Sequence, residues 1–308
     1  MSGALTGKLS DYFPPEFDER YYLKRNPDLP NDKGFDASAH YQATGRQEGR
    51  RASPAADRLH FLSCVPKGID VLEVGPFHAP SFTGKGARYL DVLDSPALKK
   101  HAEAMKLPTD KVPSEIHYVS DTGDLSIVDA QFDVVFSSHA IEHQPNLLGH
   151  LNGAAKLLRP GGSYLLIIPD HRYCFDALQA RTRVAEVIEA HLENRRFHSL
   201  KTIIEHTSQT THNDPRRHWA GDHGTIENFE PRLEQAIATW RAHQGKYIDM
   251  HAWRFTPQSF RGICDNLNAL KMLDLVASRV YDTPRDTCEF CVVMEKPVAA
   301  NQAALAAS

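Results

Sequence analysis

Short apolar runs recur along the middle of the chain, and each ends at a turn or a polar group. Val71 to Val74 runs into Gly75, and Ala87 to Leu90 runs into the carboxylate Asp91. Ile116 to Val119 precedes Asp121-Thr122, Phe132 to Phe136 precedes Ser137-Ser138-His139, and Tyr164 to Ile168 precedes Pro169-Asp170. Runs this short, apolar throughout and bounded by turn signals, read as strands buried on both faces. Between the last two, Asn146 to Leu158 carries apolar residues at helical spacing until Arg159-Pro160-Gly161-Gly162 stops it. Strands alternating with amphipathic helices predict a doubly wound α/β domain with a largely parallel sheet.

The pattern also divides the chain. Residues 1–52 read as a small helical module with a core of Phe17, Tyr21, Tyr22, Leu23 and Tyr41, joined through Ser53-Pro54-Ala55-Ala56. A core domain follows over 57–170 and is interrupted by an insertion over 171–256. It resumes over 257–297, where Leu273 to Val280 and Cys288 to Met294 read as closing strands. Thr256 and Pro257 read as the N-cap and first residue of the helix that re-enters the core. Residues 298–308 are small and predict a disordered tail.

Composition narrows the function classes. The chain has 308 residues, enough for a sizeable core, and a formal net charge of −4. No basic stripe with interleaved aromatics appears, so nucleic acid is not an expected partner. No apolar run approaches the length of a membrane-spanning helix, and no signal-peptide pattern opens the chain. The 5 cysteines form no disulfide framework. Cys288 and Cys291 are a lone CxxC on a predicted strand, where residues three apart face opposite ways. A cytoplasmic enzyme is the expectation, with its oligomeric state open.

The order of the motifs then becomes specific. LEVG, Asp91, the acidic loop at Asp121, FDVV, SSHAIEH and LLRPGGSYLL resemble a class I S-adenosylmethionine-dependent methyltransferase over roughly residues 68–170. The resemblance implies a Rossmann-like seven-stranded sheet with S-adenosylmethionine as cofactor. It also implies cofactor contacts from Glu73, Gly75 and Pro76 at the amino-acid end and from Asp91 at the ribose. Asp121 and Thr122 would meet the adenine, and Ser137 and Ser138 would lie beside the sulfonium. The chain departs from the family's GxGxG loop: after Gly75 it reads Pro76-Phe77-His78-Ala79-Pro80, similar to a GP-loop (type 11-like) subgroup. The N-terminal module resembles a helical unit found beside glycosyltransferases.

The acceptor side rests on histidines. His139, Glu142 and His143 follow the fourth strand at i, i+3 and i+4, one face of a helix if it begins there. They could hold a divalent metal, as a similar glutamate-rich triplet does in related quinone O-methyltransferases, or His139 could be the base. Capping of the helix is the competing reading. Nine of the 17 histidines fall between His171 and His251. Among them His171, His218 and His223 are candidate bases, and Arg172, Tyr173, Trp219 and Asp222 candidate acceptor contacts. Alternatively, the cluster binds a metal with a ligand borrowed from His171 or His251. The expected function is O-methyl transfer to a sugar hydroxyl of a surface glycan or its precursor. A small non-sugar metabolite as acceptor, or a non-catalytic scaffold on the cofactor fold, are the alternatives.

Overall fold

The computed structural model describes residues 7–30, 32 and 34–297, so the tail expected from residue 298 lies outside the described residues. The strands are β1 (Val71–Val74), β2 (Ala87–Asp91), β3 (Tyr118–Val119), β4 (Phe132–Ser138), β5 (Leu158–Pro169), β6 (Val276–Val280) and β7 (Glu289–Glu295). They form one seven-stranded sheet in the order β3-β2-β1-β4-β5-β7-β6. Strands β1 to β5 pair in parallel, and β7 lies antiparallel between β5 and β6. This is the Rossmann-like methyltransferase sheet that the motif order implies.

The helices are α1 (Glu19–Arg25), α2 (Ala37–His40), α3 (Arg58–Ser63), α4 (Ser95–Ala104), α5 (Leu147–Leu157), α6 (Val184–Leu192), α7 (Leu200–Ser208), α8 (Pro215–Trp219), α9 (Phe229–Ala242) and α10 (Pro257–Ala269). Strand residues alternate between two cores, as the period-2 geometry of a strand requires. Leu72, Val74, Val135, Leu166, Ile168 and Val292 pack with residues of α5, α6 and α10. Val71, Val134, Phe136, Leu165, Ile167 and Val293 pack on the other face with Phe61 of α3 and with Leu9 and Phe13. Both faces are therefore covered, which is why these strands are continuously apolar in sequence.

Some boundaries differ from expectation. Strand β5 begins at Leu158, so Arg159-Pro160-Gly161-Gly162 lies inside it. The pairing jumps from Phe132↔Leu158 to Val134↔Ser163, a bulge that accommodates the turn-like residues. Strand β3 keeps only Tyr118–Val119. The N-terminal core comprises Tyr22, Ala37, Tyr41 and Ala52 with Phe17 and Leu23 against it, and Tyr21 lies outside. Adjacent helical residues point about 100° apart, and Tyr22 is the one that faces Tyr41. Re-entry occurs as expected: the Thr256 side chain accepts from Ser259 N and Pro257 opens α10. Among the described residues no helix is long and apolar enough to cross a membrane.

Candidate active site

Strand β1 lies between β2 and β4, so the chain leaves β1 in opposite directions on its two sides and opens a crevice beyond the carboxyl ends. Gly75 caps β1 with φ +73°, and an added Cβ would meet only Ala140 Cβ, at 3.7 Å. Glycine is thus required by backbone conformation rather than by crowding. The missing later glycines have a substitute. The buried Glu73 carboxylate accepts from Ser81 N at 2.8 and 3.0 Å and from Phe82 N at 2.9 Å, folding the 76–80 loop back over its own strand. Burial pushes Glu73 up to about 7, against these three N–H contacts, which favour the charge. Tyr89 Oη donates to Phe82 O at 2.7 Å and ties down the same loop.

Asp91 ends β2 and is buried. Burial raises its carboxyl above the usual range, and Asp249 of the insertion lies close enough to add to that shift. In the next loop Asp124 bonds Ser126 N and Oγ, both at 2.9 Å, as a cap. Asp121 and Asp124 are both exposed there, and Thr122 is half-buried. Ser137 Oγ meets Tyr164 Oη at 2.9 Å, and that hydroxyl meets His150 Nε2 at 2.9 Å, an inward-facing chain. Ser138 Oγ accepts from Arg58 Nη2 at 2.7 Å.

The turn after β4 is not the helix start expected from HAIEH. His139 adopts a left-handed φ of +50°, and only a 3-10 turn, Ile141–His143, follows. The three side chains therefore do not share one helical face. His139 Nε2 turns to Glu289 Oε2 at 2.9 Å. Arg58 grips the same carboxylate through Nε and Nη2 at 2.8 and 2.7 Å. Burial works against the charge on Glu289, but the Arg58 and His139 hydrogen bonds outweigh it and hold the group down at about 2. Glu142 and His143 turn instead toward the insertion. Glu142 O accepts from Ala252 N at 2.7 Å and Trp253 N at 3.2 Å, and Trp253 Nε1 donates to Gln144 O at 2.5 Å. This strap brings His251 beside Glu142.

At the end of β5, Arg172 is paired with Asp170 at 2.6 Å and lies 4.9 Å over the Tyr173 ring. Tyr173 stacks on Trp219 at 3.8 Å, and Trp219 Nε1 donates to Thr287 O at 2.9 Å. The expected acceptor contacts Arg172, Tyr173 and Trp219 thus form a stack that pins α8 to the core. His171 is half-buried with Nδ1 unpartnered, and burial lowers its pKa, which leaves it neutral near pH 7. His218 engages both ring nitrogens locally: Nδ1 meets His223 Nδ1 at 3.0 Å and Nε2 meets His212 O at 3.1 Å. Asp222 pairs with Arg217 at 2.8 Å and accepts from Gly224 N. Sequence reasoning missed Arg58, Asp176, Asp249 and Glu289. Their positions are set by contacts between distant segments, and only Asp249-Met250-His251 offered a local hint in its paired ligand-type residues.

Residues 76–166 match the family model described as "Methyltransferase domain". The chain carries a methyltransferase domain. The matched span reaches from the residue after Gly75 into β5 and leaves out both the N-terminal module and the insertion. The comparison with curated proteins returned no match. Among solved structures, a SAM-dependent methyltransferase from Aquifex aeolicus is similar at 12% identity, covering 85% of this chain and 100% of that one, with a TM-score of 0.39. An S-adenosylmethionine-dependent methyltransferase from Clostridium acetobutylicum is similar at 8% identity over 74% and 84% of the chains, with a TM-score of 0.37. A complex of the Haloferax volcanii Trm112 activator and a methyltransferase is similar at 16% identity over 84% and 96%, with a TM-score of 0.37.

Proposed function

We propose that the protein methylates a sugar hydroxyl, in a surface glycan or in its nucleotide- or lipid-linked precursor. The main support is the wall that the insertion raises opposite the cofactor strands. It carries Tyr247 and Asp249: burial and the charges of Asp249, Glu142 and Asp91 act on the Tyr247 hydroxyl, and Asp249 acts on Asp91. A polyhydroxyl acceptor is matched by side chains that donate and accept hydrogen bonds, whereas a quinone-like acceptor is matched by an apolar slot.

S-adenosylmethionine, when bound, supplies a methyl group already activated by its sulfonium charge. The chain's own residues do the rest. Glu73 fixes the loop after β1. Asp91 accepts from the ribose hydroxyls. The carboxylates of Asp91 and Asp249 make the crevice favourable to a cationic ligand over its neutral product. His139 is the general base. Glu289, kept ionised, accepts the Nε2–H and leaves Nδ1 free to take the acceptor proton. Glu289 is a positioning residue for this step.

The test begins with calorimetric titration of S-adenosylhomocysteine. Asp91→Asn should weaken binding roughly ten- to a hundredfold, the cost of a charged hydrogen bond. Labelled methyl transfer is then measured on monosaccharides and nucleotide sugars beside quinols and phenols. His139→Ala should lower kcat on sugars by about 10²–10⁴, the usual contribution of a general base, and His171→Ala by less than tenfold. Label appearing on quinols alone would overturn the sugar assignment, and absence of S-adenosylhomocysteine binding would overturn the activity itself.

A further inference from the structure

Glu142, His143 and His251 take no part in the methyl-transfer scheme. Glu142 is fully buried, and neither carboxylate oxygen has a hydrogen-bond partner among the described residues. A carboxylate withdrawn from water is costly unless a cation or donors compensate it. Two imidazoles face it from different parts of the chain. His143 Nε2 lies 3.7 Å from Glu142 Oε1, and His251 Nε2 lies 3.8 Å from the same oxygen. One ligand atom from each of Glu142, His143 and His251 lies within 4.8 Å of the others. These separations exceed hydrogen-bond length and suit atoms that share an ion at about 2.1 Å each.

The outer contacts point the same way. His251 Nδ1 bonds the buried Asp176 carboxylate at 2.6 Å, and Asp176 Oδ1 accepts in turn from Gln179 Nε2 at 2.8 Å. His143 Nδ1 lies 2.8 Å from Asp249 Oδ1. His251 thus has a hydrogen-bonded carboxylate behind it, His143 has one within ion-pair distance, and both present Nε2 to Glu142. A carboxylate behind the far nitrogen is the arrangement that orients metal-bound histidines and raises their basicity.

We propose that Glu142, His143 and His251 form a site for a divalent transition metal, with Asp176 and Asp249 orienting the two histidines. Two nitrogens and one oxygen suit zinc, iron(II), cobalt(II) or manganese(II) better than calcium or magnesium. Three protein ligands leave coordination positions free for water or for an acceptor oxygen. The site differs from the His139, Glu142, His143 triplet expected from local spacing. His139 Nδ1 is 3.9 Å from the Glu142 oxygen but Nε2 is bonded to Glu289, so it stands beside the site as the proton acceptor. The insertion completes the site with His251. Its role in activating a hydroxyl rests on the methyltransferase reading, whereas its existence does not.

The test uses full-length protein stripped with a chelator and titrated with Zn2+ and with Co2+. One equivalent should bind, with Co2+ giving visible absorption of low-symmetry coordination. Glu142→Gln and His251→Gln should each weaken binding at least a hundredfold, and Asp176→Asn about 10–100-fold, the range for residues behind a ligand. Circular dichroism and S-adenosylhomocysteine binding are followed on the same samples. X-ray absorption of the Zn2+-loaded wild type needs no variant and should show two imidazoles and a carboxylate. No binding by the wild type, unchanged affinity in the variants, or a shell without imidazole would each overturn the site. Metal binding without S-adenosylhomocysteine binding would leave the site standing and remove the function proposed for it.

Discussion

Glu73 does through hydrogen bonds what a run of glycines does through backbone freedom, and its burial makes that arrangement dependent on pH. Its pKa stands at about 7, above the ordinary 4.5. The folded state therefore holds the proton more tightly than the unfolded chain. The associated stability is fully present below pH 4.5 and is lost as pH rises through 7. Glu73→Gln should flatten this part of the profile by on the order of 3 kcal/mol, read from denaturant unfolding between pH 4.5 and 7.5. Below pH 4.5 the variant should be the less stable of the two, because an amide offers fewer acceptors to Ser81 N and Phe82 N. His150 has the opposite sign. Burial depresses it from 6.5 to about 4, so its contribution is present above pH 6.5 and is lost as pH falls through 4. His150→Gln can keep a hydrogen bond to Tyr164 but cannot titrate. Its unfolding curve should fall less steeply than the wild type's between pH 6.5 and 4, and an equal slope would count against the assignment.

At the scale of elements, two junctions decide how the insertion meets the core. Helix α10 begins with reciprocal bonds, Ser259 N to Thr256 Oγ1 at 3.1 Å and Thr256 N to Ser259 Oγ at 2.8 Å. Thr256→Ala should cost about 1 kcal/mol in chemical denaturation, the value of a side-chain cap. Helix α8 has five residues and little propensity of its own, so its place comes from Trp219 stacked on Tyr173 and bonded to Thr287 O. Trp219→Ala should cost about 3 kcal/mol, the lower end for loss of a packed tryptophan, and should speed hydrogen exchange over residues 214–224. Exchange confined to other segments would show that α8 is held by something else. The HAIEH turn shows why such junctions resist reading from sequence. Its spacing fits one helical face, yet the backbone bends at His139 and divides the residues between β7 and the insertion.

For the whole molecule, the N-terminal module meets the core through Leu9 and Phe13, through Glu16, and through a carboxylate that gathers three donors. Asp282 accepts from Tyr41 Oη at 2.5 Å and from Arg46 Nε at 2.7 Å through Oδ2, and from Gln258 Nε2 through Oδ1. Asp282→Ala should lower stability by about 2 kcal/mol, a central value for hydrogen bonds to a charged group, and should expose the module to proteolysis before the core. Simultaneous cleavage of both would show that other contacts couple them.

How much of this was legible in the chain depended on the range of the interaction. Apolar runs buried on both faces, the cap at Thr256, and the acidic residue closing the second strand are local signals. They sufficed for the sheet and for the re-entry helix, because backbone geometry acts on neighbours in sequence. The strand lengths were less legible, since sheet pairing can absorb Pro160 and Gly161 in a bulge. The acceptor side was decided by tertiary structure alone. Glu289, Arg58, Asp176 and His251 come from segments 38 to 231 residues apart in the numbering. No periodicity links them, and only the folded insertion turns one buried carboxylate and two imidazoles toward a common point.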